Sequence, residues 1–267
     1  MLKVCLDAGH YGSYNRSPGV HAYYESKRMW KLTQLLAEAL KKCGVEVVQT
    51  RTNQNSDLAL TTRGKLAKGC DLFVSLHSNA VGSSMNESVD YPLAVVMLDG
   101  STDVIGKNLA DCVAKVMGTK QKGKITTKKG STGGEYYGVL RGAAAVGVPG
   151  LILENSFHTN TTIANWMLSD ANLAKLAEAE AECITAYLKD NTPVQRPKQE
   201  AAKPAPFVPY RVRVTITDLN IRTEANASSK SKGYIKPGVY TIVEEKNGWG
   251  KLKSGAGWIS LHYTKKL

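Results

Sequence analysis

Over the first two thirds of the chain, apolar positions fall into two alternating kinds of block. Short apolar or β-branched runs predict strands at residues 2–7, 45–50, 71–77, 92–98 and 151–154. Between them, longer segments repeat apolar residues every three to four positions and predict helices at 25–43, 61–68, 103–117 and 164–188. In the first of these helices Trp30, Leu32, Leu35, Leu36, Ala39 and Leu40 cluster on one face, and Gly44 stops it. The run 71–77 is apolar almost throughout, as expected of a strand covered on both faces. Strands alternating with helices predict an α/β domain with a mixed, mainly parallel, twisted sheet flanked by helices. Residues 118–134, rich in Lys and Gly, are expected to form an exposed loop.

Beyond residue 190 the pattern changes. Residues 192–209 hold five prolines among Lys, Gln, Glu and Ala, a composition that cannot build a core, and 191–207 reads as a semi-rigid linker. After it the period drops to two. Val212, Val214 and Ile216 alternate with polar residues, as do Leu219 and Ile221; Val239, Ile242 and Val243, then Trp258 and Ile259, continue the series. Turn signals at 236–238, 246–248 and 255–257 separate them. The expected organisation is a larger α/β domain over 1–190 and a small all-β barrel over 208–267.

Composition narrows the setting. The five cysteines are scattered, odd in number and form no CxxC pair, so they read as reduced thiols rather than a disulfide framework or a zinc-thiolate site. No stretch approaches the ~20 apolar residues of a membrane span, and the N-terminus lacks the pattern of a cleaved signal peptide. A cytoplasmic protein that acts after release, or one exported by a non-standard route, is the expectation. The net charge of +12 is uneven. Residues 1–190 carry 21 Lys+Arg against 18 Asp+Glu, a balance of +3, whereas 191–267 carry 14 against 5, a balance of +9. The basic C-terminal third suits an anionic partner; no base-reading or RNA-stacking motif points to nucleic acid.

Ligands of parallel α/β sheets gather beyond the carboxyl ends of the strands. His10 follows the first predicted strand, His77 ends the third, and Glu154 ends the run 151–154. Glu25 lies at the start of the first long helix. Two histidines and a carboxylate make the ligand set of hydrolytic zinc, which keeps a fourth position open for water; a second, unligated carboxylate then serves as general base and acid. Each residue also has a plainer reading. A histidine at a strand end is commonly solvated, a Glu in a first helical turn complements the helix dipole, and a buried Glu can pair with an Arg.

The strings around these residues resemble a known family. Asp7-Ala8-Gly9-His10-Tyr11-Gly12, Glu25, Ser75-Leu76-His77-Ser78-Asn79-Ala80 and Leu153-Glu154-Asn155-Ser156-Phe157-His158-Thr159-Asn160, with Thr50-Arg51-Thr52 and Arg63, resemble the zinc N-acetylmuramoyl-L-alanine amidases of the Amidase_3 type in the right order over residues 1–188. The resemblance implies His10, Glu25 and His77 as ligands of Zn2+ and Glu154 as the catalytic carboxylate. The substrate it implies is peptidoglycan, cut between muramic acid and the first L-alanine of the stem peptide. Ala8 stands where the family usually has Pro, and His158 where an aliphatic residue is common; His158 is read as a substrate or supporting contact, or as a neutral replacement. His21 competes with Glu25 as a ligand, and His262 is expected on the surface.

Residues 219–225, Gly238, 247–251 and 257–259 resemble a bacterial SH3 domain of the SH3b type, which implies a module that holds peptidoglycan and anionic wall polymers. Trp249 and Trp258 are expected in its core, and Tyr210, Tyr234, Tyr240 or Tyr263 in a binding groove. An endolysin or an autolysin fits the combination. The alternatives are a zinc peptidase acting within the stem peptide and a non-catalytic wall binder.

Overall fold

Strands and helices alternate through the first unit in the order β1 (Lys3–Ala8), α1 (Glu25–Lys42), β2 (Glu46–Gln49), α2 (Leu60–Lys65), β3 (Leu72–Asn79), β4 (Leu93–Val96), α3 (Asp103–Met117), β5 (Lys124–Thr126), α4 (Gly138–Ala145), β6 (Gly150–Phe157), α5 (Thr161–Leu168) and α6 (Asp170–Asn191). This computed structural model describes residues 2–191, 208–227, 229–246 and 248–267, and the chain divides into two compact units, residues 1–193 and 194–267. The linker expected at 191–207 lies, from residue 192 onward, outside the described residues.

The six strands pair in the order β2-β1-β3-β6-β4-β5. All neighbours are parallel except β4, which runs antiparallel to β6. Alternation along the strands sends side chains to two cores. Val4, Leu6, Val74, Leu76, Leu151 and Leu153 pack with α1, α3, α5 and α6. Cys5, Phe73, Val95 and Ile152 pack on the opposite face with Val139, Leu140 and Ala143 of α4. The apolar stripe of α1 supplies Met29, Leu32, Leu36 and Leu40, all fully buried, each worth about 1.5–3 kcal/mol over an exposed position. On the other face α2 and α4 cross closely, because a Cβ at Gly64 would lie 2.0 Å from the Val139 carbonyl oxygen.

Three local expectations are corrected. Residues 164–188 form two helices. Asn160 caps α5 by accepting from the Ile163 N–H, Ser169 is extended (φ −77°, ψ 119°), and its hydroxyl accepts from the Asn172 N–H at the start of α6. A serine inside a helical pattern thus serves as a break and a new cap. The stretch 118–134 is not all loop, since Lys124–Thr126 adds to the sheet edge as β5; all three of its residues are exposed, so it carries no apolar signal. Helix α4 was not expected at all: it is only eight residues long and carries two glycines, which weaken a helix signal.

The second unit is antiparallel throughout. Strands β7 (Tyr210–Val214), β8 (Leu219–Arg222), β9 (Ser231–Ile235), β10 (Gly238–Lys246), β11 (Trp249–Leu252), β12 (Trp258–Ser260) and β13 (Thr264–Lys266) pair in the order β13-β7-β10-β11-β12-β8-β9. Its core is Val212, Val214, Leu219, Ile235, Ile242, Leu252 and Ile259. Val212, Val214, Leu219, Ile242 and Ile259 are among the expected period-two positions, Ile235 and Leu252 are additions to them, and Val239, expected in the same series, is exposed.

Candidate active site

The end of the sheet beyond β1 and β3 is built from buried polar residues that fix one turn. Asp7, fully buried in β1, accepts from the Thr50 hydroxyl at 2.5 Å and the Ser75 hydroxyl at 2.7 Å; Arg63 approaches it at 3.5 Å. Arg51 and Arg63 both donate to the Ala8 carbonyl, at 2.9 and 3.2 Å. The motif residues Thr50, Arg51 and Arg63 therefore hold the end of β1 in place. Next come Gly9 and His10. A Cβ at Gly9 would lie 2.5 Å from the His77 ring, so only glycine lets the turn approach β3 this closely. His10 has φ 55°, a left-handed conformation that a non-glycine residue rarely holds and that concentrates at functional sites.

His10, Glu25 and His77 converge, each offering one ligand atom, all within 4.8 Å of one another. The contact of His77 Nδ1 with Glu25 Oε1 is 2.9 Å, and that of His10 Nε2 with Glu25 Oε2 is 3.4 Å. The Ser78 N–H also donates to Glu25 Oε1 at 3.1 Å. Burial opposes the charge of Glu25, but its hydrogen bonds with His10 and His77 outweigh burial and hold the carboxyl well below the usual range. Burial likewise opposes protonation of His77, and the hydrogen bond and charge of Glu25 raise its pKa nonetheless. Two imidazoles, one after β1 and one within β3, and a carboxylate from the first turn of α1, held this close, are a donor set that suits a divalent cation.

Glu154 stands beside this cluster. It pairs in register with His77 across β3 and β6, and the alternation that buries Phe73 and Ile152 against α4 puts both side chains on that same face. Its Oε2 is out of contact with water and has no hydrogen-bond partner among the described residues. Burial raises its pKa to about 7; His77 opposes this and Glu25 adds to it. Just beyond, pairing of β3 with β6 shifts register between His77 and Asn79, and Ser156 turns left-handed at φ 64°. Such irregularities re-aim side chains next to active sites.

The remaining expectations sort by position. His158 is buried and does not reach the cluster. Its Nδ1 lies 2.9 Å from the Ser78 hydroxyl, which accepts from Tyr23 at 2.7 Å, and its ring stacks on Tyr23. It therefore supports the residue next to His77. His21 is exposed and engages the Pro18 carbonyl, outside the cluster; His262 is exposed. Two residues at the site gave no sequence signal. Asn15, left-handed at φ 49°, donates to Glu25 Oε2 at 2.7 Å and lies 3.1 Å from His10 Nε2. Tyr14 stacks on His10 with the rings 4° from parallel. Both belong to an irregular loop, where no periodicity marks a position.

In the second unit Trp258 is buried, Tyr210 and Tyr240 pack against the core, and Tyr234 and Tyr263 are exposed. Trp249 and Tyr263 line a groove of about 460 Å³ with Asp218 and Arg222.

Comparison with known proteins places this architecture. The sequence model of the family described as N-acetylmuramoyl-L-alanine amidase (Amidase_3) matches residues 4–186. The chain is 27% identical over 237 residues to the N-acetylmuramoyl-L-alanine amidase CwlM of Bacillus licheniformis, covering 86% of this chain and 79% of that one. Its fold is similar to the catalytic domain of CwlV from Bacillus (Paenibacillus) polymyxa, with a TM-score of 0.59 and 22% identity over 71% of this chain and 99% of that one. An N-acetylmuramoyl-L-alanine amidase from Clostridium difficile 630 superimposes with a TM-score of 0.60 and 21% identity, over 71% of this chain and 98% of that one.

Proposed function

The chain belongs to the Amidase_3 family of N-acetylmuramoyl-L-alanine amidases, and from that premise we propose that it is a zinc enzyme in which His10, Glu25 and His77 hold the metal and Glu154 handles the proton. As an amidase of peptidoglycan it cleaves the bond between N-acetylmuramic acid and the L-alanine of the stem peptide. The observation that carries the metal reading is the convergence of three ligand atoms within 4.8 Å, with an unpartnered carboxylate oxygen on the adjoining strand.

When bound, zinc would polarise the scissile carbonyl and supply an acidified water. The rest falls to the chain. Glu154 has a pKa near neutrality, so it can take a proton from the attacking water and return it to the leaving amine of L-alanine. Asp7, Arg51 and Arg63 hold the His10 turn, so the donors need little reorganisation on loading. Ser78 fixes one oxygen of Glu25 through its N–H. Tyr23 and His158, stacked behind Ser78, back the same segment.

The second unit, with its surplus of positive charge and exposed tyrosines, fits a wall-binding module of the SH3b type. An endolysin or autolysin fits the pair of units.

Chelation followed by metal return tests the zinc reading. Chelator-treated protein should lose turnover, and zinc should restore it with release of free L-alanine amino termini from otherwise intact glycan. Full turnover by rigorously metal-free protein would refute it.

A further inference from the structure

The net charge of the first unit conceals a segregated edge. Lys120, Lys122, Lys124, Lys128 and Lys129 fall within residues 118–134, which contain no acidic residue. None of the five is in an ion pair among the described residues. The two that are held are held by rings: Lys124 Nζ sits 3.6 Å from the Tyr91 ring centroid and Lys128 Nζ 3.8 Å from that of Tyr136. An aromatic face orients an ammonium without neutralising it.

Strand register ties Lys124 to the catalytic centre. His77 pairs with Glu154, Glu154 with Leu93, and Leu93 with Lys124, one continuous row across β3, β6, β4 and β5. Residues paired in register share a face, so Lys124 stands on the same face as Glu154. Two steps of about 4.8 Å put their backbones about 10 Å apart. Tyr91 precedes β4, which runs antiparallel to β6, and its ring packs edge-on against Phe157 at 4.9 Å, past Glu154 on β6. By lying over Tyr91, the ammonium leans toward the catalytic end of the sheet.

We infer that Lys124 forms a subsite for a carboxylate on the peptide arm of the substrate, two to three residues from the scissile amide. The inference rests on the amidase reading and adds to it a preference for an acidic peptide. An extended peptide advances about 3.3–3.6 Å per residue, so an arm leaving Glu154 along the row reaches Lys124 within three residues. Lys120 and Lys122 add positive charge on the approach to β5, where the buried Asp90 is already engaged by the Lys120 and Gln121 N–H groups; Lys128 and Lys129 follow the strand, with Glu135 paired opposite Lys129. The bland role for such lysines is to guard an edge strand against pairing with another chain. That role predicts no discrimination between substrates.

The test uses the full-length, metal-loaded protein and two synthetic muramoyl peptides of one sequence, with acidic side chains free in one and converted to carboxamides in the other. The wild type should show a KM roughly tenfold lower for the free acid, as expected for a hydrogen bond to a charged group. Lys124→Gln should remove that preference by raising KM for the acid alone, with kcat unchanged, and Lys124→Arg should retain it. Equilibrium binding of both peptides to Glu154→Gln protein reads the subsite without turnover, which separates it from the amidase reading. Equal affinity of that protein for the two peptides would overturn the proposal. So would a Lys124→Gln variant that keeps the preference or weakens both peptides alike. Failure of the wild type to cleave either peptide, with the binding preference intact, would instead overturn the amidase reading.

Discussion

The two units of this chain bury different things. In the α/β unit, Asp7, Glu25, Arg51, Arg63, Ser75, Ser78, Asn155 and His158 are buried at or near one end of the sheet. In the antiparallel unit, no buried polar or charged residue occurs among the described residues, and its core is purely apolar. Burying a polar group costs free energy unless it is hydrogen-bonded, so the first unit spends stability on a preorganised site while the second does not. The contrast assigns chemistry to the interior of one unit and leaves the other only its surface for recognition. Charge follows the same division, since residues 191–267 carry a balance of +9 and residues 1–190 only +3.

The contrast can be broken by substitutions on either side. The largest expected effect is on turnover: Glu154→Gln keeps the shape, removes proton transfer, and should cost roughly 10²–10⁴-fold in kcat, measured by release of amino termini. Next comes stability. Asp7→Ala strands Arg63 and two hydroxyls, and should destabilise the first unit by about 3–5 kcal/mol while abolishing activity, as read by denaturant unfolding and assay together. Ile242→Ala in the second unit opens an apolar cavity at a cost of about 2–5 kcal/mol, yet should leave turnover of soluble muropeptides unchanged. Should it silence the enzyme, the units are not independent.

A smaller effect concerns Glu180, fully buried on α6 with neither carboxylate oxygen hydrogen-bonded among the described residues. Burial raises its pKa to about 8. The folded state therefore holds this proton more tightly than the unfolded chain does. Its contribution is complete below the ordinary carboxylate pKa near 4.5 and is lost as pH rises to about 8. Glu180→Leu should flatten that decline and raise the melting temperature most above pH 8; a steeper decline in the variant would contradict the assignment. The smallest effect is expected from a chain ending at residue 191, which keeps the whole first unit. It should turn over soluble fragments within about twofold of the full chain, as an independently folding domain would. It should sediment poorly with whole walls, and salt should partly release the full chain from them.

How much of this was legible in the sequence depended on periodicity and motif. Helix α3 was expected at its observed bounds because its apolar stripe is capped by Gly118 in a left-handed turn. The meeting of His10, Glu25 and His77 was legible from the motif strings around the two histidines and the start of α1; Glu154, expected at the end of a strand, lies within β6, paired in register with His77. Strand β5 escaped notice because an exposed edge needs no apolar alternation, and α4 because it is short and its two glycines, which permit the close crossing with α2, weaken the helix signal. Asn15 and Tyr14 act through a loop whose fold only the tertiary structure defines. The role of His158 was legible only as a departure from pattern, and its place behind Ser78 required the structure.

The central claim is that His10, Glu25 and His77 bind the metal while Glu154 does not. Elemental analysis of purified wild type, His77→Ala and Glu154→Gln proteins after dialysis against buffered zinc tests it most directly. The account predicts near-stoichiometric zinc in the wild type and in Glu154→Gln, and little in His77→Ala. A full zinc complement in His77→Ala, or loss of zinc from Glu154→Gln, would contradict it.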